Sequence, residues 1–353
     1  MLFNFRSCLM SALAFSAILP AASAQEAPPP PEEQQQANTS EMLTNWLMVD
    51  VLDRNCRIFG LTDRVALTRE VGAYTRVWRA SQGAATPDAL LANLTDLTQT
   101  AVERAEEINC DDAMNYLFQA RREYFRSLLA QIVSAAGNES WDSEPDAIKA
   151  SWQALVNEIG GFFGGEEFNR LRGIFQAEVE GADLDREELW SQLRPILFAT
   201  HWQLSVAEDG FSVYPQRQAG GQFNYVFTRN ETEEDLPYSI TAPTEIAVSG
   251  EDGQPHALLS ATGKSDDDRV VVFLQKYDSA AQPNELNASM LVQQPAQAGM
   301  APSLRSFDAE SLPEADCPTD FCFIFPADAT PATENAQNRA IQLVFTPATE
   351  EAD

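Results

Sequence analysis

The chain has 353 residues, with 53 Asp and Glu against 23 Lys and Arg and a formal net charge of −30. So acidic a surface repels phosphate backbones and anionic lipid heads, which argues against nucleic acid or a membrane surface as partner. Apolar residues make up 44% of the chain, enough for packed cores, and two histidines leave little material for His-based metal sites or catalytic relays.

Taken in chain order, residues 1–24 read as a signal peptide. Arg6 supplies the positive start, Leu9 to Leu19 is an apolar run too short to span a membrane comfortably, and Ala22-Ser23-Ala24 is a small-x-small cleavage site. Cleavage after Ala24 implies a periplasmic or secreted protein. No later run approaches 18 apolar residues, so no membrane insertion is expected after cleavage. Cys8 leaves with the signal. The remaining Cys56, Cys110, Cys317 and Cys322 are an even set in an exported chain, which points to two disulfides. Three connectivities exist. The pairs Cys56–Cys110 and Cys317–Cys322 are expected because each stays within one proposed domain. A zinc site lacks histidines at ligand spacing, and the four residues between Cys317 and Cys322 do not make a C-x-x-C redox motif.

Residues 25–40 contain four consecutive prolines and a glutamine run without apolar period, and read as a disordered spacer. Composition then changes near residue 203. All six tryptophans precede that point. Three prolines (Pro87, Pro145, Pro195) lie within 41–202, and twelve follow. Proline is excluded from helix interiors and common in the turns of β-proteins. The expected fold is therefore α+β in two domains: an all-α helical bundle over 41–202, then an all-β sandwich or small barrel over 203–348, with a disordered tail at 349–353.

Within the first half, Ser40 is expected to cap a helix running to about Phe59. The stripe Leu67, Val71, Tyr74 and Trp78 marks a second helix. Thr86-Pro87-Asp88 opens a third, carrying Leu90, Leu94, Leu97, Ala101, Ala105 and Ile108 on one face. Asp111 or Asp112 opens a fourth with Met114, Phe118, Phe125, Leu128 and Ile132. Ser143-Glu144-Pro145-Asp146 resembles a capping box, and Asp185 to Glu188 begins the last helix, with Pro195 inside it. In the second half, Phe223, Tyr225 and Phe227 share a strand face, as do Phe321, Phe323 and Phe325. A hairpin is expected across Gly250 to Gly253, and Val270 to Leu274 has the unbroken apolar run of a central strand.

No residue stands out as catalytic, cofactor-binding or metal-ligating. Asp266-Asp267-Asp268 and Glu231, Glu233, Glu234 and Asp235 offer oxygens but lack the spacing of a calcium loop, and read as solvated turns. Glu166-Glu167 after the glycines at 160, 161, 164 and 165 suits an inter-helix hinge, and His201 and His256 lie outside any nucleophile elbow. Arg121, Arg122 and Arg126 form one basic patch. The expected function is an exported, non-catalytic envelope protein with a binding or scaffolding role, its partner an envelope protein or a glycan. The alternatives are a glycoside-type hydrolase using acidic residues, or a carbohydrate-binding module.

Overall fold

A computed structural model describes residues 32–217, 224–249, 255–277, 285–293, 304–330 and 341–347. The signal peptide, all four prolines of the spacer, Phe223, the Gly250–Gly253 turn and the tail at 349–353 lie outside the described residues. Seven α-helices precede eleven strands among those described, the α+β order expected from composition. The helices are α1 Glu32–Cys56, α2 Leu61–Ser81, α3 Pro87–Glu106, α4 Cys110–Ala135, α5 Asp146–Phe163, α6 Gly165–Val179 and α7 Arg186–Glu208. Contacts divide the chain into two compact units. One holds residues to Cys56 together with Ala66–Ala130, the other Arg57–Val65 and the chain from Gln131 onward.

In the first unit α1 starts at Glu32, eight residues ahead of Ser40. Glu, Gln and Ala are good helix formers, and acids suit a first turn. Ser40 does not cap. Its hydroxyl receives the Trp78 indole N–H at 3.2 Å, while the Gln36 amide donates to Ser81 O at 2.9 Å. α3 begins as expected, with Thr86 Oγ1 accepting from Ala89 N and Pro87 in the first turn. Arg104 reaches across from α3 to Glu41 on α1 at 2.8 Å, and Trp46 stacks on Tyr74. The buried stripe of α4 is Ala113, Leu117, Ala120, Tyr124, Leu128 and Ile132. Met114 and Phe118, one position off that stripe, are exposed. Cys56 at the end of α1 is joined to Cys110 at the start of α4.

The second unit takes in the start of α2 and the end of α4, and α5 is the first helix wholly within it. Gly164, at φ +75°, is the single residue between α5 and α6, a left-handed conformation that glycine adopts without a Cβ penalty. α7 is capped by Asp185, whose carboxylate accepts from Glu188 N at 2.9 Å, and it continues through Pro195. The strands are β1 Phe211–Pro215, β2 Tyr225–Arg229, β3 Asp235–Ile240, β4 Thr244–Ser249, β5 Pro255–Ser265, β6 Val270–Lys276, β7 Leu286–Gln293, β8 Leu304–Asp308, β9 Glu310–Ser311, β10 Phe321–Ile324 and β11 Ile341–Pro347.

Eight of these strands form one antiparallel sheet in the order β1-β2-β3-β5-β6-β10-β9, with β4 also on β5; the other three pair as β11-β7-β8. β5 is long enough to take β4 along its first half and β3 along its last three residues, both on the edge away from β6. Alternation then sorts the side chains. Leu258, Val272, Leu274, Phe321 and Phe323 meet Ala288, Met290, Val292, Phe307 and Phe345 from the three-stranded sheet in one core. Phe273 points to the opposite face, where it meets Phe227 and Tyr238, and Trp202 of α7 stacks on Phe227. A strand covered on both faces must be apolar at every position, which explains the run from Val270 to Leu274. Cys317 and Cys322 are joined across the turn before β10.

Candidate functional site

A group of hydrogen-bonded polar side chains lies in the second unit, around Arg194 on α7. One terminal nitrogen donates to Glu144 Oε1 at 2.6 Å and the other to Glu245 Oε2 at 2.8 Å. Glu144 Oε1 also receives the Trp190 indole N–H at 2.6 Å, and Glu245 Oε2 receives the Tyr277 hydroxyl. Spacing explains the convergence on the helix: Trp190 and Arg194 are four apart, hence on one face. The Arg194 guanidinium also lies 5.1 Å from the centre of the Phe198 ring. Glu144 sits between the short 3-10 turn Glu139–Ser143 and α5. The capping box expected over Ser143-Glu144-Pro145-Asp146 does not form. Pro145 occupies the cap position without a side-chain bond, and Ser143 bonds Ser140 O instead. Glu245 and Tyr277 come from β4 and just beyond β6.

The environments of the two carboxylates differ. The Glu144 side chain is 5% exposed and its Oε2 has no hydrogen-bond partner among the described residues, whereas Glu245 is 40% exposed. Burial and the neighbouring Glu245 carboxylate push the Tyr277 phenol well above its ordinary value, so it stays a neutral donor. Next to it, His201 Nε2 bonds Lys276 O at 2.9 Å and its ring meets Tyr277 edge-on. Trp190 packs against Trp141 and Trp152 with ring centroids 5.2–5.5 Å apart. The guanidinium has a carboxylate on each terminal nitrogen, so it has no fork left for an anionic ligand.

The acidic turns are bonded in the same way. Asp268 pairs with Lys264 at 2.7 Å, and Asp267 with Arg269 at 2.8 Å and with the Ser265 hydroxyl. Asp266, Asp267 and Arg269 line a groove of about 540 Å³ together with Tyr238, Glu310 and Pro313. Asp235 accepts both ends of the Arg57 fork at 2.9 Å and the Thr228 hydroxyl at 2.7 Å. Burial pushes its carboxyl up, but these bonds together hold it below the usual range. Among the described residues no three His, Cys, Asp or Glu side chains gather as a metal site, and no helix is long and apolar enough to cross a membrane.

The remaining candidates are dispersed. Glu166 and Glu167 lie in the first turn of α6, where Glu167 bonds Arg170 in bidentate fashion at 2.6 Å. His256 stands opposite Val248 in the β4–β5 ladder. Arg121 stacks over Phe125 on α4. Tyr225, Phe227, Phe321, Phe323 and Phe325 are all buried, and a buried ring offers no face to a sugar. The group around Arg194 could not be assembled by inspection of the sequence: Glu144, Arg194 and Glu245 stand about 50 residues apart in succession, and no short motif connects them. Compared with known proteins, the chain matches no family model, and no curated protein or solved structure is similar to it.

Proposed function

We propose that the protein is exported to the periplasm or the medium, with its signal peptide removed after Ala24, and that it acts there by binding or scaffolding without chemistry of its own. Its partner is an envelope protein or a glycan. The observation that carries this reading is the group around Arg194. A hydrolytic carboxylate pair needs a proton on one member and access to substrate for both. Here one arginine is bonded to both carboxylates, and the more buried of the two also accepts an indole N–H. The two disulfides support an oxidising compartment.

The test is expression of the full chain with a C-terminal tag, followed by cell fractionation, N-terminal sequencing and in-cell cross-linking. Export with a new N-terminus at Gln25 and a cross-linked envelope partner is the expected result. Cytoplasmic retention with Met1 intact would sink the export reading. Turnover of chromogenic glycosides that is abolished by Glu144→Gln or Glu245→Gln would replace the binding role with the hydrolase.

A further inference from the structure

We propose that the first unit pairs with a second copy of the chain through the start of α4, the two α4 helices lying antiparallel across a twofold axis; this goes beyond the binding role above and does not depend on it. On a helix, residues three, four and seven apart share a face. Asp111, Met114, Asn115, Phe118 and Arg122 fall on one such face of α4, beside the buried stripe of Ala113, Leu117, Ala120 and Tyr124. All five are exposed, Met114 at 51% and Phe118 at 52%. The fold therefore leaves this face open over about three turns. A single exposed apolar side chain is ordinary on a protein surface. Two large ones a turn apart on one face form a patch, and such patches mark contacts.

The charges along the face decide what covers it. Asp111 stands at its N-terminal end, Met114 and Phe118 in the middle and Arg122 at its C-terminal end. The neighbouring Asp112 is already bonded to Asn109 at 2.7 Å, and Arg121 stacks over Phe125. Asp111 and Arg122 make no ion pair among the described residues. The order acid, apolar, base complements itself only when the copy runs the other way. Two α4 helices antiparallel about Tyr116 set Met114 level with the partner's Phe118. Asp111 then lies within one residue, about 1.5 Å of rise, of the partner's Arg122. Packed helix axes are roughly 8–10 Å apart, a gap that an arginine and an aspartate bridge between them. The twofold axis makes each contact twice. A parallel copy would instead set Asp111 against Asp111 and Arg122 against Arg122, which is repulsive.

The net charge of −30 opposes self-association of the chain as a whole. Salt screens that repulsion beyond about 8 Å at physiological ionic strength. The face itself carries one acid and one base, so the surfaces brought together are neutral. Its size sets the strength. Three turns of one helix against three of another bury less than the roughly 1,200 Å² at which standard interfaces begin. The pair is therefore weak, with Kd on the order of 10–100 µM.

The experiment is sedimentation velocity of the full disulfide-bonded chain from about 1 to about 500 µM in about 0.15 M salt. The sedimenting species should pass from monomer to dimer across that range. Phe118→Gln should weaken the dimer by about tenfold or more. Asp111→Arg and Arg122→Asp should each abolish it, because each sets like charges together. The double variant Asp111→Arg/Arg122→Asp should restore it, because the order of charges is then only reversed. Circular dichroism checks folding, and where Asp111→Arg does not fold, loss of the dimer in both Arg122→Asp and Met114→Gln decides instead. A chain that stays monomeric throughout overturns the proposal. So does a dimer that survives both single charge swaps, or one that the folded double variant does not restore, since the copies then meet through another face or in another direction.

Discussion

Replacing Arg194 by methionine isolates the two ends of its bridge, because methionine keeps an apolar stem against Phe198 and removes the charge. At one end Glu144, 5% exposed, retains only the Trp190 N–H. Removing one partner of a buried ion pair costs about 3–5 kcal/mol, since the other charge is left uncompensated. At the other end Glu245 is 40% exposed and keeps the Tyr277 hydroxyl, so solvent screening limits its share to about 1 kcal/mol or less. Arg194 is itself 28% exposed, which places the total near the low end, about 3 kcal/mol. For a unit of this size that is a fall of roughly 6–12 °C in melting temperature. Urea titration followed by tryptophan fluorescence is a suitable assay, because Trp190 touches both Glu144 and the Trp141–Trp152 pair. The double variant Arg194→Met/Glu144→Gln removes the stranded charge and should recover most of the loss. A single variant costing under about 1 kcal/mol, or a double variant no more stable than the single, refutes the reasoning.

Other substitutions test the rest of the frame. In Gly263→Ala the new Cβ would lie 2.2 Å from Ser239 O and 2.9 Å from Ile240 Cγ2, within the short β3–β5 ladder. The expected loss is about 3 kcal/mol, the top of the overpacking range, and wild-type stability in urea would contradict it. Cys56→Ser/Cys110→Ser opens a loop of 54 residues and Cys317→Ser/Cys322→Ser one of five, so chain entropy ranks their costs at about 4 and about 2 kcal/mol. Non-reducing melts showing the opposite order would reject that ranking. Glu70 is held above the ordinary carboxylate value by burial, with Glu123 adding to the shift and Ser127, Arg69 and Arg76 opposing it. Its native form therefore favours the proton, and the native state loses stability as pH rises from about 4.5 through the raised value. Glu70→Gln should be more stable relative to wild type at pH 7 than at pH 4. A difference between the two proteins that does not change with pH would refute the burial argument.

The change from helix to strand was legible near residue 203, because tryptophan, proline and apolar spacing act within a few residues of themselves. Thr86 and Asp185 were readable as caps for the same reason: the N–H each carboxylate or hydroxyl accepts is three residues away. Ser40 misled because its real partner, Trp78, is on another helix, and Ser143-Glu144-Pro145-Asp146 misled because the Ser143 hydroxyl turns back to Ser140 O and Pro145 takes the cap position. What only the tertiary structure decided is how the strands are shared and covered. β5 divides one edge between β3 and β4, and α7 covers the sheet face through Trp202. It also decided that Met114 and Phe118, expected on the buried side of their helix, are exposed. Local periodicity assigns a residue to a face, but which face is buried, and against what, depends on pairings between distant segments.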